Sequence, residues 1–414
     1  MITRRDFLRQ SLAVVSLGVG VPSVFGRALA AAAEDGSAAA SKRTLIVVQL
    51  AGGIDGLNTV IPYKDPAYRT NRPTLGIAEN ELLPIDDRFA FHPGLAPLKG
   101  LLDAGKLAVV HGVGYPNPNF SHFRAMDIWQ TADPDGKAHD GWLGRYFDGL
   151  VDAEGHPLAG LSIGRSLPTA FETANTPVPS VGGLDSFALA PSQTDPDPDR
   201  RRTSLMRLYD VYKPSSSPFG ALLDTTLDTA YDSSLQLKAA NDAYTPAVAY
   251  PESSLASGLQ LLASLIHSGG EENPLRVGHV TLGGFDTHTQ QPATLDALLR
   301  DAATSLTAFW QDVVAHGHGD DVLVMTWSEF GRRVPENAQN GTDHGSATPM
   351  FLIGNAVKPG LRGEPTSLSN LDNGNLRFTT DFRSVYATVL ERWLEAPADD
   401  VLGAKFPQLD VIAA

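Results

Sequence analysis

The chain has 414 residues, a formal charge of −15 and no cysteine. Absence of cysteine excludes disulfides, thiolate metal sites and cysteine nucleophiles, and the acidic balance argues against nucleic acid or anionic membrane surfaces as partners. A chain of this length buries enough apolar surface to be held by its core alone.

The first segment reads as an export signal. Thr3-Arg4-Arg5-Asp6-Phe7-Leu8-Arg9 precedes an apolar, small-residue run from Leu12 to Leu29, and residues 28–33 offer several A-x-A cleavage frames. Paired arginines in that setting predict a twin-arginine signal peptide over residues 1–33, with the Tat translocase as partner during export. The run contains Gly18, Gly20, Pro22 and Arg27 and falls short of the ~20 apolar residues a span requires. Cleavage or loose tethering is therefore expected, with no stable transmembrane segment and a mature chain that is periplasmic or secreted. The leader holds Arg4, Arg5, Arg9, Arg27 and Asp6, so removing it takes the formal charge from −15 to −18.

Residues 44–50 form a continuous apolar run of the kind buried on both faces of a sheet. It leads into a glycine-rich turn that sets Asp55 and Asn58 at the strand's carboxyl end. A helix is predicted over 93–106, a second parallel strand over 107–113, and a helix over 121–131 entered through a Pro/Asn loop. Residues 161–250 are less regular, with helical patterns near 204–212 and 219–241, and are expected to form an inserted helical region over one side of the sheet. Regular alternation resumes with a helix at 253–268, a strand at 276–282, a helix at 293–316 and strands at 321–326 and 348–353. A helix at 382–394 closes the pattern. Strands alternating with helices predict one α/β domain over 44–410 with a mainly parallel, doubly wound sheet.

The residues that carry chemistry follow these strands, where an open α/β sheet gathers ligands. Asp286 and His288 stand two apart in an extended segment, so both can face one pocket; the alternative is a loop-capping Asp and a surface His. Glu329 follows the strand at 321–326, and Asp343 and His344 sit in a turn between Gly341 and Gly345, either as ligands or as a plain Asx-turn. Together these five suit a divalent metal held by oxygen and nitrogen. Arg332 reads either as a grip for an anionic substrate or as an ion-pair partner. Ser121 opens a helix, where backbone N–H groups would stabilise an oxyanion, so it is read as a nucleophile or a simple N-cap, with His122 beside it.

The spans 47–63, 112–123 with Ile128-Trp129-Gln130, 141–146, 328–332 and 341–345 resemble the exported bacterial proteins of the DUF1501 family. The family is of unknown function but is grouped with the alkaline phosphatase and sulfatase superfamily. The resemblance implies an alkaline phosphatase-like fold with helices on both sheet faces. It sets Asp55 at the superfamily's first-strand metal aspartate, and Asp286, His288, Asp343 and His344 at later metal positions. Asn58, Arg124 and Arg332 are read, apart from the resemblance, as candidate substrate-binding residues. Ser328-Glu329-Phe330-Gly331 resembles the superfamily's Ser-Asp-His-Gly, with Glu for Asp and Phe for His. A phenyl ring binds no metal, so a single-metal or rearranged site is implied. The expected activity is metal-dependent hydrolysis of a phosphate or sulfate ester, small or polysaccharide, using zinc, calcium or manganese. The alternatives are a non-catalytic exported binding or assembly protein on the same fold, and, less favoured, a phosphoryl transferase or mutase.

Overall fold

The computed structural model describes residues 42–150, 158–174, 176, 178–182, 200, 203–204, 207, 235–269 and 275–413. The leader at 1–33, the helical pattern near 204–212 for all but two residues, and most of 219–241 lie outside the described residues.

Strand β1 (Thr44–Leu50) is buried along its whole length. Because alternate side chains of a strand face opposite ways, Ile46, Val48 and Leu50 enter one core while Leu45 and Val47 enter another. Helix α1 (Ala96–Asp103) leads into β2 (Leu107–Gly114), followed by α2 (His122–Thr131) and α3 (Trp142–Asp148). Then come β3 (Gly160–Ile163), β4 (Ser180–Val181), α4 (Ser254–Gly269) and β5 (Val277–Leu282). Helix α5 (Gln291–Ala315), β6 (Val322–Trp327) and β7 (Thr348–Ile353) follow. The last elements used below are β8 (Gly360–Arg362), β9 (Thr380–Asp381) and α6 (Phe382–Arg392).

The nine-stranded sheet runs β8-β2-β7-β6-β1-β5-β3-β4, with β9 paired to β2. Strand β1 is parallel to β5 and β6, β3 is parallel to β5 and β4, and β8 and β9 are parallel to β2. Strand β7 alone is antiparallel, to both β6 and β2. A parallel return needs a crossover of a dozen or more residues, usually a helix. The connection from Trp327 to Thr348 contains no helix, so β7 runs back along its neighbour. The structure departs from the sequence expectation in that β3 and β4 extend the sheet within the stretch read as a helical insertion, and α3, β8 and β9 went unpredicted.

Each face of the sheet carries its own core. Leu98 and Leu101 of α1, Leu259 and Leu262 of α4, and Leu299 and Phe309 of α5 pack on the face that receives Ile46 and Val48. Ile128 and Trp129 of α2, Trp142 and Tyr146 of α3, and Val385 and Tyr386 of α6 cover the other. Full burial of one such aliphatic or phenyl side chain is worth about 1.5–3 kcal/mol, so helices on both faces are what keep a sheet of this composition folded. Among the described residues no helix is long and apolar enough to cross a membrane.

His279, on β5, is 2% exposed; its Nδ1 lies 3.1 Å from Ser162 Oγ and its Nε2 has no partner. Burial pushes its pKa down to about 4. The folded value thus lies below the unfolded value of about 6.5. Its contribution to stability is complete above that unfolded value and is lost as pH falls from about 6.5 toward 4, by up to about 3 kcal/mol. Urea midpoints are expected to drop across that window and to drop less in His279→Gln; equal slopes in the two proteins would refute the assignment.

Candidate metal centre

The loops after β1, β5 and β6 open at one edge of the sheet because those strands are parallel, and antiparallel β7 begins at the same edge. Strand β2 is also antiparallel to β7, so the segment after it, ending in α2, arrives there too. Five chain segments thereby bring Gly52, His122, Asp286, His288, Glu329, Asp343 and His344 together.

His122, Asp286 and His344 present ligand atoms that all lie within 4.8 Å of one another. His288 Nε2 is 2.9 Å from His344 Nε2 and 3.1 Å from Asp286 Oδ1, and His344 Nε2 is 3.1 Å from that same oxygen. His122 Nε2 faces Asp286 Oδ2 at 3.5 Å and makes no hydrogen bond.

The other nitrogen of each ring fixes its tautomer. His122 Nδ1 lies 2.8 Å from Glu329 Oε1, His288 Nδ1 3.3 Å from Asp343 Oδ1, and His344 Nδ1 2.7 Å from the Phe120 carbonyl. A carboxylate or carbonyl can only accept, so each Nδ1 donates its proton outward, and in the neutral form of each ring Nε2 turns a lone pair inward. Three Nε2 atoms and the Asp286 carboxylate converge. This is the arrangement in which a carboxylate or carbonyl orients a metal-binding histidine.

Asp286 is built to stay ionised. Burial alone would raise its pKa, but hydrogen bonds from Arg332 and His344, with the charges of Arg332 and His288, bring it to about 2. Asp343 is held below the usual carboxylate range chiefly by its hydrogen bond from Asn337, against some burial, with help from His288. Gly52 has φ +122°, and a side chain there would overlap the backbone nitrogen of Asp286. Its N–H donates to Glu329 Oε1 at 2.8 Å. Gly341 lies against the His288 carbonyl, where a Cβ would also overlap.

Several residues named from sequence serve elsewhere. Asp55, read as a metal ligand, is fully buried and bound by Arg72 at 2.5 and 3.1 Å and by Gln291 Nε2 at 2.5 Å. Asn58, read as substrate-binding, donates to the Leu75 carbonyl and accepts from Tyr68 Oη, each at 2.9 Å, inside the protein. Arg332 is 1% exposed and binds the carbonyls of Gly52, Gly53, Phe285 and Thr342 besides Asp286. It therefore positions Asp286 and is closed to an external anion. Arg124 is held by Asp127 and the Pro134 carbonyl. Glu329, 1% exposed, supports His122 from behind instead of facing the cluster. His122, read as catalytic, joins the candidate ligands. Ser121 is exposed at the N-cap of α2 and its side chain makes no capping bond.

Phe330 packs against His122 at 4.9 Å and His344 at 4.6 Å between ring centroids, so this phenyl forms an apolar wall of the cluster. Sequence reasoning passed over Asn337, whose amide donates to the His288 carbonyl at 3.0 Å and to Asp343 at 3.2 Å. It also passed over Arg72 and Gln291. None stands in a strand-end motif, so no local signal marked them.

Residues 42–390 match the model of a family described as a protein of unknown function, DUF1501. The chain belongs to the DUF1501 family. No curated protein matches this DUF1501 chain. Solved structures similar to it include an alkaline phosphatase superfamily protein from Vibrio parahaemolyticus, with TM-score 0.35 and 9% identity, covering 78% of this chain and 64% of that one. The DUF1501 chain thus spans less than two thirds of the length of that protein. The lipoteichoic acid synthase LtaP from Listeria monocytogenes has TM-score 0.38 and 10% identity, covering 100% of this chain and 81% of its own. The C-terminal periplasmic domain of EptC from Escherichia coli, solved in complex with Zn, has TM-score 0.34 and 10% identity, covering 75% and 72%.

Proposed function

We propose that this DUF1501 protein is an exported metal-dependent hydrolase of phosphate or sulfate esters. One divalent ion would be held by His122, Asp286, His288 and His344. The observation that carries this reading is three imidazole Nε2 atoms gathered on one carboxylate, with every Nδ1 facing an acceptor outside the cluster. The Nε2 atoms of His288 and His344 stand 2.9 Å apart, each 3.1 Å from Asp286 Oδ1, with both Nδ1 protons committed elsewhere. Neutral rings with those protons committed would repel each other and the anion at that range, so a proton or a metal cation belongs among them.

Three imidazoles and one carboxylate suit zinc, or manganese, better than calcium, which takes oxygen ligands. When bound, such an ion supplies Lewis acidity to an ester oxygen. The protein contributes the rest. Glu329, Asp343 and the Phe120 carbonyl hold three protons on Nδ1 atoms, Arg332 keeps Asp286 ionised and in place, and Phe330 excludes water from one wall. Ser121, exposed where α2 begins, is the proposed nucleophile, with N–H groups of the first helical turn favouring the anion that develops. The Arg4-Arg5 leader supports passage through the Tat translocase to the periplasm or the exterior, where small-molecule or polysaccharide esters are the substrates.

A second reading, an exported binding or assembly protein on the same fold, is favoured by Phe330 standing at a ligand position. Elemental analysis of the folded, exported wild type, followed by a screen of phosphate and sulfate esters, separates the two. About one zinc or manganese per chain with ester turnover is the expected result. Metal without turnover would favour the binding reading, and no metal in folded protein would sink the metal centre.

A further inference from the structure

Asn337 closes the turn that leads to Asp343, and only half of its amide is needed for that. Its Oδ1 accepts from the backbone N–H of Gln339 at 2.9 Å and of Gly341 at 3.1 Å, the bonding by which an asparagine or an aspartate closes a turn on its own backbone. An aspartate would serve there equally well. The other half reaches out of the turn: Nδ2 donates to the His288 carbonyl at 3.0 Å and to Asp343 Oδ1 at 3.2 Å. The two N–H groups can only donate, and the carbonyl and the ionised carboxylate can only accept, so the amide fits in one orientation.

We infer that Asn337 is a positioning residue of the metal centre, whose amide NH2 group sets both the backbone and the ring of His288. The inference rests on the proposed metal reading and goes beyond the groups named there, since Asn337 acts one step further out. It holds the backbone directly, through the His288 carbonyl. It holds the ring through Asp343, whose Oδ1 receives the Asn337 amide and faces His288 Nδ1 at 3.3 Å. The Asp343 side chain is 54% exposed, so packing alone does not fix it against the ring. The turn itself lies flat on the backbone it braces: Thr342 N–H donates to the Thr287 carbonyl at 3.1 Å, and Gly341 is pressed against the His288 carbonyl. A ligand whose main chain and outer ring nitrogen are both tied loses little freedom when its Nε2 meets an ion.

Asn337→Asp separates the two halves of the amide. It keeps an oxygen for the Gln339 and Gly341 N–H groups and sets a second acceptor against the His288 carbonyl and Asp343. Zinc affinity, measured by competition with a chelator, is expected to fall about ten- to hundredfold, with the urea midpoint close to that of wild type. A negative charge added near a cation site would by itself raise the affinity, so the direction of the change is diagnostic. The second readout is the downfield proton NMR signal of His288 Nδ1–H, assigned by its absence from His288→Gln and recorded with and without zinc. It is expected in wild type and lost in Asn337→Asp, where Asp343 no longer shields that proton from exchange with water. Zinc affinity that is unchanged or raised in the variant, or a signal that persists there or is missing from wild type, overturns the positioning role. So does a urea midpoint that falls as far in Asn337→Asp as in Asn337→Ala, which would make the residue a turn former only. A wild type that takes up no zinc overturns the metal reading instead, and the signal in the metal-free proteins then decides whether Asn337 holds His288.

Discussion

Asp286→Ala is expected to lower metal affinity by more than about a hundredfold and to leave the fold standing. Changing a group that merely orients a ligand typically costs ten- to a hundredfold, and Asp286 is the atom group on which all three imidazoles converge. The fold should survive because Arg332, the buried partner that loses an acceptor, keeps the carbonyls of Gly52, Gly53, Phe285 and Thr342. The aspartate side chain is itself about half exposed. Equilibrium dialysis against zinc, with urea unfolding beside it, checks both halves. Metal retained at wild-type affinity would remove Asp286 from the centre, and a collapse in stability would recast it as a structural residue.

Arg72→Met is expected to destabilise the protein by about 3–5 kcal/mol, the cost of leaving a buried charge without its partner. Arg72 and Asp55 have side chains that are 0% exposed and face each other through both guanidinium nitrogens. The pair also anchors the loops that carry the candidate ligands. Asp55 accepts from Gln291, whose carbonyl oxygen receives the hydroxyls of Thr287 at 3.0 Å and Thr342 at 2.6 Å. Thr287 lies between Asp286 and His288, and Thr342 precedes Asp343. Urea unfolding of Arg72→Met, and of the double variant with Asp55→Asn, tests this; the double variant should recover part of the loss because no full charge is then stranded. Were Asp55 a metal ligand instead, Asp55→Asn would strip the metal and leave the unfolding midpoint almost where it was.

The contrast between these two aspartates marks the limit of the sequence. Both follow an apolar strand and both stand beside glycines, so pattern alone treats them alike. What separates them is the set of partners each meets in the folded chain. Arg72 reaches Asp55 from a short helix with no motif around it, and Arg332 reaches Asp286 while also binding the β1 turn. Glu329 differs from the exposed carboxylates for a similar reason. Its burial beside Gly52 turns it toward His122 Nδ1, on the outer side of that ring.

The amino-acid sequence by itself determined the α/β alternation, since continuous apolar strands and periodic helices reflect which faces must leave water. It also determined family membership and the strand-end segments at 281–289, 326–332 and 341–345, because ligands at sheet edges need polar residues just after apolar runs. Tertiary structure decided the antiparallel course of β7, the extra strands β3 and β4, and the division of polar residues between core ion pairs and the cluster. It also decided that His122 stands among the candidate ligands while Asp55 does not. Such choices depend on which distant donor or acceptor meets each carboxylate and imidazole in a low-dielectric interior, where an unpaired polar group is costly. That pairing is a property of the packed chain and leaves no local mark in the order of its residues.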